Sequence, residues 1–262
     1  MDIVIPTRGR YKQQETLKHL LDAGLYVTLV VPKDEYYAGL YSFYEELHQV
    51  TVVPYPGLEG IAYKRQWIME TVGKQDAICM LDDDLTFFKR RTDAPDKLED
   101  ITPVELRAAF NKMECLLLDA FPHVGFAARE GANRVIASFI YNTRIMRVLG
   151  YNRRVLKKEG IAFGRIKVME DFDVALSLLT KGYENVIINT VAHNQKGSGA
   201  VGGCSAWRTP QVQAQAALRL SELYPGIVKV VEKTTKTAWG GGTRTDVTIQ
   251  WKKAYKVGAK NE

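Results

Sequence analysis

Short uninterrupted apolar runs alternate with helically spaced segments over residues 1–81, a rhythm that restricts the chain to a parallel sheet covered on both faces. Asp2-Ile3-Val4-Ile5-Pro6 reads as a buried strand closed by the polar turn Thr7-Arg8-Gly9-Arg10. Leu17, Leu20 and Leu21, followed by Ala23-Gly24, give the next segment an apolar helical face and a stop signal. A strand from Tyr26 to Val31, a helix through Tyr37 to Leu47, a strand from Val50 to Val53, a helix from Gly60 to Val72 and a strand from Ala77 to Leu81 complete the pattern. Ligands of such sheets bind at the carboxyl ends of the strands.

The second half is less regular. A helix is expected from Pro103 to Ala120, with strands at Val124 to Ala128 and Val135 to Tyr141. Phe172, Ala175, Leu176 and Leu179 mark a helix over Asp171 to Thr180 that stops at Lys181-Gly182, ahead of a strand from Asn185 to Ile188. The glycine-rich run Gly197 to Gly203 fits a lid and precedes a helix through Gln211 to Leu223. Val228 to Trp239 and Thr243 to Tyr255 read as a β-hairpin about Gly240-Gly241-Gly242. With no repeat and no long linker, the expectation is one domain over residues 1–262. No run approaches about 18 uncharged apolar residues, and the N-terminus enters a strand directly, so a cytoplasmic protein without a membrane partner is expected. Cys79, Cys115 and Cys204 show no CxxC pairing and read as reduced residues rather than a disulfide or zinc framework.

Leu81-Asp82-Asp83-Asp84-Leu85 places consecutive carboxylates just past an apolar strand. Such groups repel one another, and a hard divalent cation that keeps phosphate oxygens and water in its shell relieves the repulsion. A solvated acidic turn is the competing explanation, and the strand-end position favours the metal.

These residues, with others, resemble the GT-A glycosyltransferases, particularly those of family 2. Ile3 to Arg10 looks like that group's opening strand and nucleotide-contacting turn, and Gly60-Ile61-Ala62-Tyr63-Lys64-Arg65-Gln66 like its helix start ahead of the DxD strand. Glu170-Asp171 resembles the acidic pair opening the acceptor-side helix, and His193 lies where some members supply a metal ligand. The motifs follow in family order over residues 3–208; the turn Val31-Pro32-Lys33-Asp34 departs from the usual acidic and glycine-rich pattern.

The resemblance implies a GT-A, Rossmann-like, mostly parallel sheet with helices on both faces and a C-terminal β-hairpin. Within it, residues 1–124 would be the nucleotide-sugar half, 125–228 the acceptor and catalytic half, and 229–262 a basic hairpin. It further implies donor contacts from Pro6, Thr7, Arg8, Arg10, Lys64, Asp82 and Asp83, Mn2+ or Mg2+ on Asp84 and His193, and Asp171 as base in an inverting transfer from a UDP-sugar, UDP-glucose being favoured.

Charge bears on the acceptor. Residues 1–124, 125–169, 170–228 and 229–262 carry −6, +8, −1 and +5. Arg144, Arg153, Arg154, Lys157 and Lys158, interleaved with aromatic residues, suit phosphates and unstacked bases, as do Trp251, Lys252, Lys253, Tyr255 and Lys256 of the tail. The chain also looks similar to the phage and base-J-related DNA glycosyltransferases associated with TET/JBP-type oxygenases, which implies 5-hydroxymethylcytosine in DNA as acceptor and, for a phage protein, the host cytoplasm as location. Alternatives are transfer to a glycan or lipid intermediate, a sugar nucleotidyltransferase and a non-catalytic nucleic-acid-binding protein. The first would need a membrane-docking segment and the second a longer glycine-rich phosphate loop; the third has no need of the aspartate triplet.

Overall fold

The computed structural model describes residues 1–57, 60–132, 135–195, 209–235 and 242–260. Its N-terminal part follows the expected alternation: β1 (Asp2–Pro6), α1 (Glu15–Asp22), β2 (Val27–Pro32), α2 (Lys33–Tyr37), α3 (Ser42–Glu45), β3 (Val50–Tyr55), α4 (Ile61–Thr71) and β4 (Ala77–Leu81). The helix expected through Tyr37 to Leu47 is instead the two short helices α2 and α3, separated at Gly39, whose φ of 71° ends the first.

After β4 the chain turns within three residues into β5 (Leu85–Arg90), then β6 (Leu98–Asp100), α5 (Pro103–Asp119), β7 (His123–Ala128), α6 (Arg129–Ala132), β8 (Phe139–Tyr141), β9 (Val148–Asn152), α7 (Arg153–Lys158), α8 (Glu170–Leu179) and β10 (Asn185–Gln195). A capping box between Thr102 and Glu105 starts α5. The sheet runs β3-β2-β1-β4-β9-β7-β10-β5-β6, with β8 also paired to β10. Seven of these ten strands point the same way, and β5, β8 and β9 run against them. The structure is thus a mixed α/β fold on a mostly parallel central sheet.

Alternation along the strands feeds two cores. Ile3 and Ile5 of β1 pack with Leu17 and Leu20 of α1 and Phe110 and Met113 of α5 on one face. Val4, between them, joins Ile68 of α4 and Val174 and Leu178 of α8 on the other. Helix α8 is buried almost all round, because its remaining face, Leu176 and Leu179, seats a third cluster from the C-terminal elements. These are α9 (Pro210–Leu223), the antiparallel hairpin β11 (Val228–Thr235) and β12 (Gly242–Ile249), and α10 (Trp251–Gly258).

The expected hairpin is present, but its second strand ends at Ile249, and Trp251 to Gly258 is helix rather than strand. Helix α10 buries Ala254 and brings Gly258 so close to the end of α8 that a methyl there would strike backbone atoms of Gly182 and Leu179. Among the described residues no helix is long and apolar enough to cross a membrane.

Candidate active site

The carboxyl ends of β1 and β4 lie side by side, since the two strands are parallel neighbours with Val4 beside Met80. Their following turns therefore meet. Thr7 donates its hydroxyl proton to Asp83 at 2.5 Å, and Arg10 bonds Asp83 at 2.5 Å and Asp84 at 2.7 Å. Gln14 donates to Thr7 Oγ1 and to the Arg10 carbonyl, each at 3.0 Å, which holds the turn in shape. Thr16 fixes the triplet's backbone by donating to the Asp82 carbonyl at 2.6 Å and accepting from Leu85 N at 2.8 Å.

Asp82 occupies the floor of an open recess. Its side chain retains 32% exposure, yet surrounding protein pushes its pKa up to about 6, with Arg65 opposing the rise and Asp84 and Asp83 adding to it. Burial likewise raises Asp83, against its bonds from Thr7 and Arg10. Lys64, in the first turn of α4, bonds the Thr7 carbonyl at 3.3 Å and stands over the Tyr55 ring at 5.6 Å. Pro6 ends β1, and Arg8 sits half-buried in the same turn. The structure thus brings Pro6, Thr7, Arg8, Arg10, Lys64 and the triplet to one sheet edge.

Arg65 joins this edge to α8. Its buried guanidinium pairs with Glu170 and lies 3.5 Å from Asp82. Met169, at φ 65°, turns the chain sharply into α8 and presents three acids in the first turn. Glu170 is taken by Arg65, and Asp173, fully buried, by Arg165 and the Tyr224 hydroxyl. Asp171 is half-buried and makes no hydrogen bond or ion pair among the described residues.

Register places His193 beside Phe87 and Gln195 beside Leu85, so alternate residues of β10 face the triplet's flank. Gln195 donates to Asp84 at 2.8 Å. His193 is fully buried, and burial, with Arg147 nearby, lowers its pKa to about 3, leaving a neutral imidazole at neutral pH. The Met146 backbone approaches the ring, but among the described residues neither ring nitrogen has a partner in hydrogen-bonding geometry. A neutral, unpartnered imidazole near a carboxylate fits the divalent ion that GT-A chemistry implies. Among the described residues no three His, Cys, Asp or Glu side chains cluster as a metal cage.

Other placements differ from expectation. Asn152, which ends β9, lies opposite Ala77 at the amino end of β4, so α7 starts at the far edge of the sheet from Asp82. Arg153 there bonds the Met69 and Val72 carbonyls and Asp2, and Arg154 pairs with Asp76. Lys157 and Lys158 follow on α7, so these four do not line the mouth beside the triplet. Arg144 does approach it, stacked 4.3 Å over Phe172 next to Asp171. The glycine-rich run expected as a lid lies outside the described residues.

The sequence suggests Arg65 as a positive charge for the donor phosphates and does not reveal its pairing with Glu170, nor the roles of Gln195 and Arg147. Arg147, at φ 63°, accepts the Asp82 amide proton on its carbonyl. A positive φ at arginine leaves no mark in sequence.

Buried His123 gives the fold a pH signature. Its Nδ1–H donates to the Gly150 carbonyl at 2.9 Å, its ring stacks on Tyr151, and burial lowers its pKa to about 4. Protons therefore bind the unfolded chain, with its ordinary value near 6.5, more readily than the folded one. The stability is full above that value and is lost as pH falls from about 6.5 towards 4, by up to about 3 kcal/mol. Urea denaturation from pH 7 to 4.5 should show this slope together with that of buried His193, and His123→Phe should remove its own share; an equal slope in the variant would refute the assignment.

A mostly parallel sheet carrying a nucleotide-type turn, an aspartate triplet at a strand end and an acidic helix start defines a glycosyltransferase of the GT-A fold. Residues 1–203 match the sequence signature of the TET-associated glycosyltransferases, and the chain belongs to that family. One solved structure shares the fold. TarS 1–349 of S. aureus in complex with UDP-GlcNAc superposes with a TM-score of 0.53 at 12% identity, covering 84% of this chain and 67% of that one. GalNAc-T7 with UDP, GalNAc and Mn2+ gives 0.45 at 10% identity over 85% of this chain and 48% of that one. No curated protein matches the chain in sequence.

Proposed function

We propose that the protein transfers a hexose from a UDP-sugar, with UDP-glucose the favoured donor, to the hydroxyl of 5-hydroxymethylcytosine in DNA, by one inverting displacement. The carrying observation is the division of labour in the first turn of α8, where Glu170 and Asp173 are held by arginines and Asp171 is left unpartnered. In this reading the acceptor oxygen bonds to the anomeric carbon, the bond from that carbon to the UDP oxygen breaks, and the acceptor proton passes to Asp171.

Arg10, Lys64 and Arg8 supply fixed positive charge around the diphosphate, and the Thr7 turn positions it. Asp84 and His193 would hold Mn2+ or Mg2+, with Asp82 and Asp83 close by; the ion supplies Lewis-acid neutralisation of the leaving diphosphate. The UDP-GlcNAc bound to the TarS neighbour supports a uridine diphosphate donor. The family's tie to TET oxygenases and the surplus of basic residues beyond residue 124 support a hydroxymethylated base in DNA. Arg144, beside Asp171, is the best placed of the proposed DNA contacts; Arg153, Arg154, Lys157 and Lys158 would touch DNA only at a distance from the reacting hydroxyl.

Incubation with 5-hydroxymethylcytosine DNA and a panel of nucleotide sugars, followed by digestion and weighing of the nucleosides, tests the reading. A hexose mass on the modified nucleoside is the expected result; transfer only to a glycan or lipid acceptor overturns it. Asp84→Ala is expected to abolish metal-stimulated transfer, and wild-type activity that survives chelation would remove the metal from the mechanism.

A further inference from the structure

Beyond the active-site edge, a cavity of about 400 Å3 lies between the segment Ile140 to Thr143 and the start of α10, Gln250 to Lys253. A few groups of its lining have unsatisfied hydrogen-bonding capacity. Helix α10 has no side-chain cap and no acid in its first turn. Its backbone bonds begin with Lys253 and Ala254, both to the Gln250 carbonyl, which leaves the Trp251 and Lys252 amides at a positive helix end.

Across the cavity, Asn142 is 9% exposed and held at φ 52°; its amide nitrogen donates to Glu184 at 2.8 Å, while its buried amide oxygen has no partner among the described residues. Tyr141 is 44% exposed at one wall and Trp251 half-buried at another. Lys252 is exposed and makes no hydrogen bond or ion pair among the described residues. Lys253, also exposed, bonds the Gly226 carbonyl at 2.8 Å. Anion-binding amides, a lysine, two aromatic walls and an unanswered amide together match a phosphodiester and the base beside it.

The cleft borders the first turn of α8. Trp251 meets Phe172 edge-on at 5.7 Å, Arg144 covers Phe172 at 4.3 Å, and Phe172 adjoins Asp171. The floor is preformed, because Gly258 and Ala254 seat α10 against its neighbours.

We propose that the cleft between Ile140–Thr143 and the N-terminus of α10 is a docking site for a nucleic-acid strand, taking one backbone phosphate on the α10 amides and Lys252 and a neighbouring base against Tyr141 and Trp251. Half of its lining, Gln250 to Lys253, lies beyond the matched residues 1–203. The inference rests on DNA being the acceptor, and it adds that the strand is gripped away from the reacting base, beside the contacts of Trp251 and Arg144 with Phe172 at the start of α8.

The test uses the full chain and a fluorescein-labelled oligonucleotide bearing one 5-hydroxymethylcytosine, read by anisotropy over a salt series, with UDP-sugar binding measured in parallel. Lys252→Glu should weaken DNA binding about tenfold at low salt and reduce the salt slope by about 1, with donor affinity unchanged. Trp251→Phe, which keeps a ring in the core, should weaken binding less than Lys252→Glu. Wild-type binding and transfer with an unaltered Lys252→Glu variant would overturn the cleft while leaving the DNA acceptor standing. A wild type that neither binds nor modifies DNA would overturn both. Inorganic phosphate that perturbs the cleft while DNA does not compete would make it a free-anion site and overturn the proposal.

Discussion

Asp171→Asn is expected to bind UDP-sugar with near-normal affinity and to lose about 10² to 10⁴ in turnover. Asparagine matches the aspartate in size but cannot accept the acceptor proton, and no partner of Asp171 is disturbed, because it makes no hydrogen bond or ion pair among the described residues. Glu170→Gln and Asp173→Asn are the controls. Both residues are buried and ion-paired, so their replacement should lower stability before it alters chemistry. Calorimetric donor titration beside single-turnover kinetics checks the split: lost donor binding in Asp171→Asn would mark the residue as part of the donor site. The product gives a second reading. One displacement on an α-linked donor yields a β-linked sugar, so an α-anomeric coupling in the modified nucleoside would rule out the single displacement even with Asp171 essential.

The largest stability effect is expected at Arg65. Its side chain and that of Glu170 are 7% and 4% exposed and ion-paired, while Asp82 stands 3.5 Å away. Burial alone would lower the pKa of Arg65, yet Glu170, Asp82 and Asp171 together raise it, so the guanidinium is the cation around which these acids are arranged. Arg65→Ala removes the ion-pair partner of a buried carboxylate, a change worth about 3–5 kcal/mol. A urea midpoint that moves by less than about 1 kcal/mol would show that water replaces the guanidinium. The double variant Arg65→Met, Glu170→Leu should recover much of the loss, since it removes both charges and fills the space.

Where function requires local pattern, the sequence was readable. Strand β1 with its turn, the triplet after β4, the start of α4 and the acidic start of α8 each consist of neighbouring residues, and the fold brings all four to one edge. Partnerships across long separations were not readable. Arg65 meets Glu170 across 105 residues, and Asp84 meets Gln195 across 111. Strand β5 was missed because it follows the triplet with no glycine or proline to mark the turn, and β9 because Gly150 and Asn152 dilute its apolar run. In α10, Trp251, Tyr255 and Val257 imitate a strand, and only packing on α8 settles the helix. Arg153 was read as a phosphate contact from its charge, and the structure pairs its two terminal nitrogens with carbonyls at the end of α4 and with Asp2, partners that lie far from it in sequence.

The reversed strand β9 also sets an order of assembly. Because it lies between β4 and β7, residues 77–81 wait for residues 148–152 before either half of the sheet is continuous, and the Asp82 amide waits for the Arg147 carbonyl. Such distant pairings carry a loop-closure cost before they return any stabilisation, so they form late. The acidic edge that is to meet the diphosphate is therefore completed among the last features of the fold, and a nascent chain that has emerged only as far as α5 holds the aspartates without the strand that fixes them.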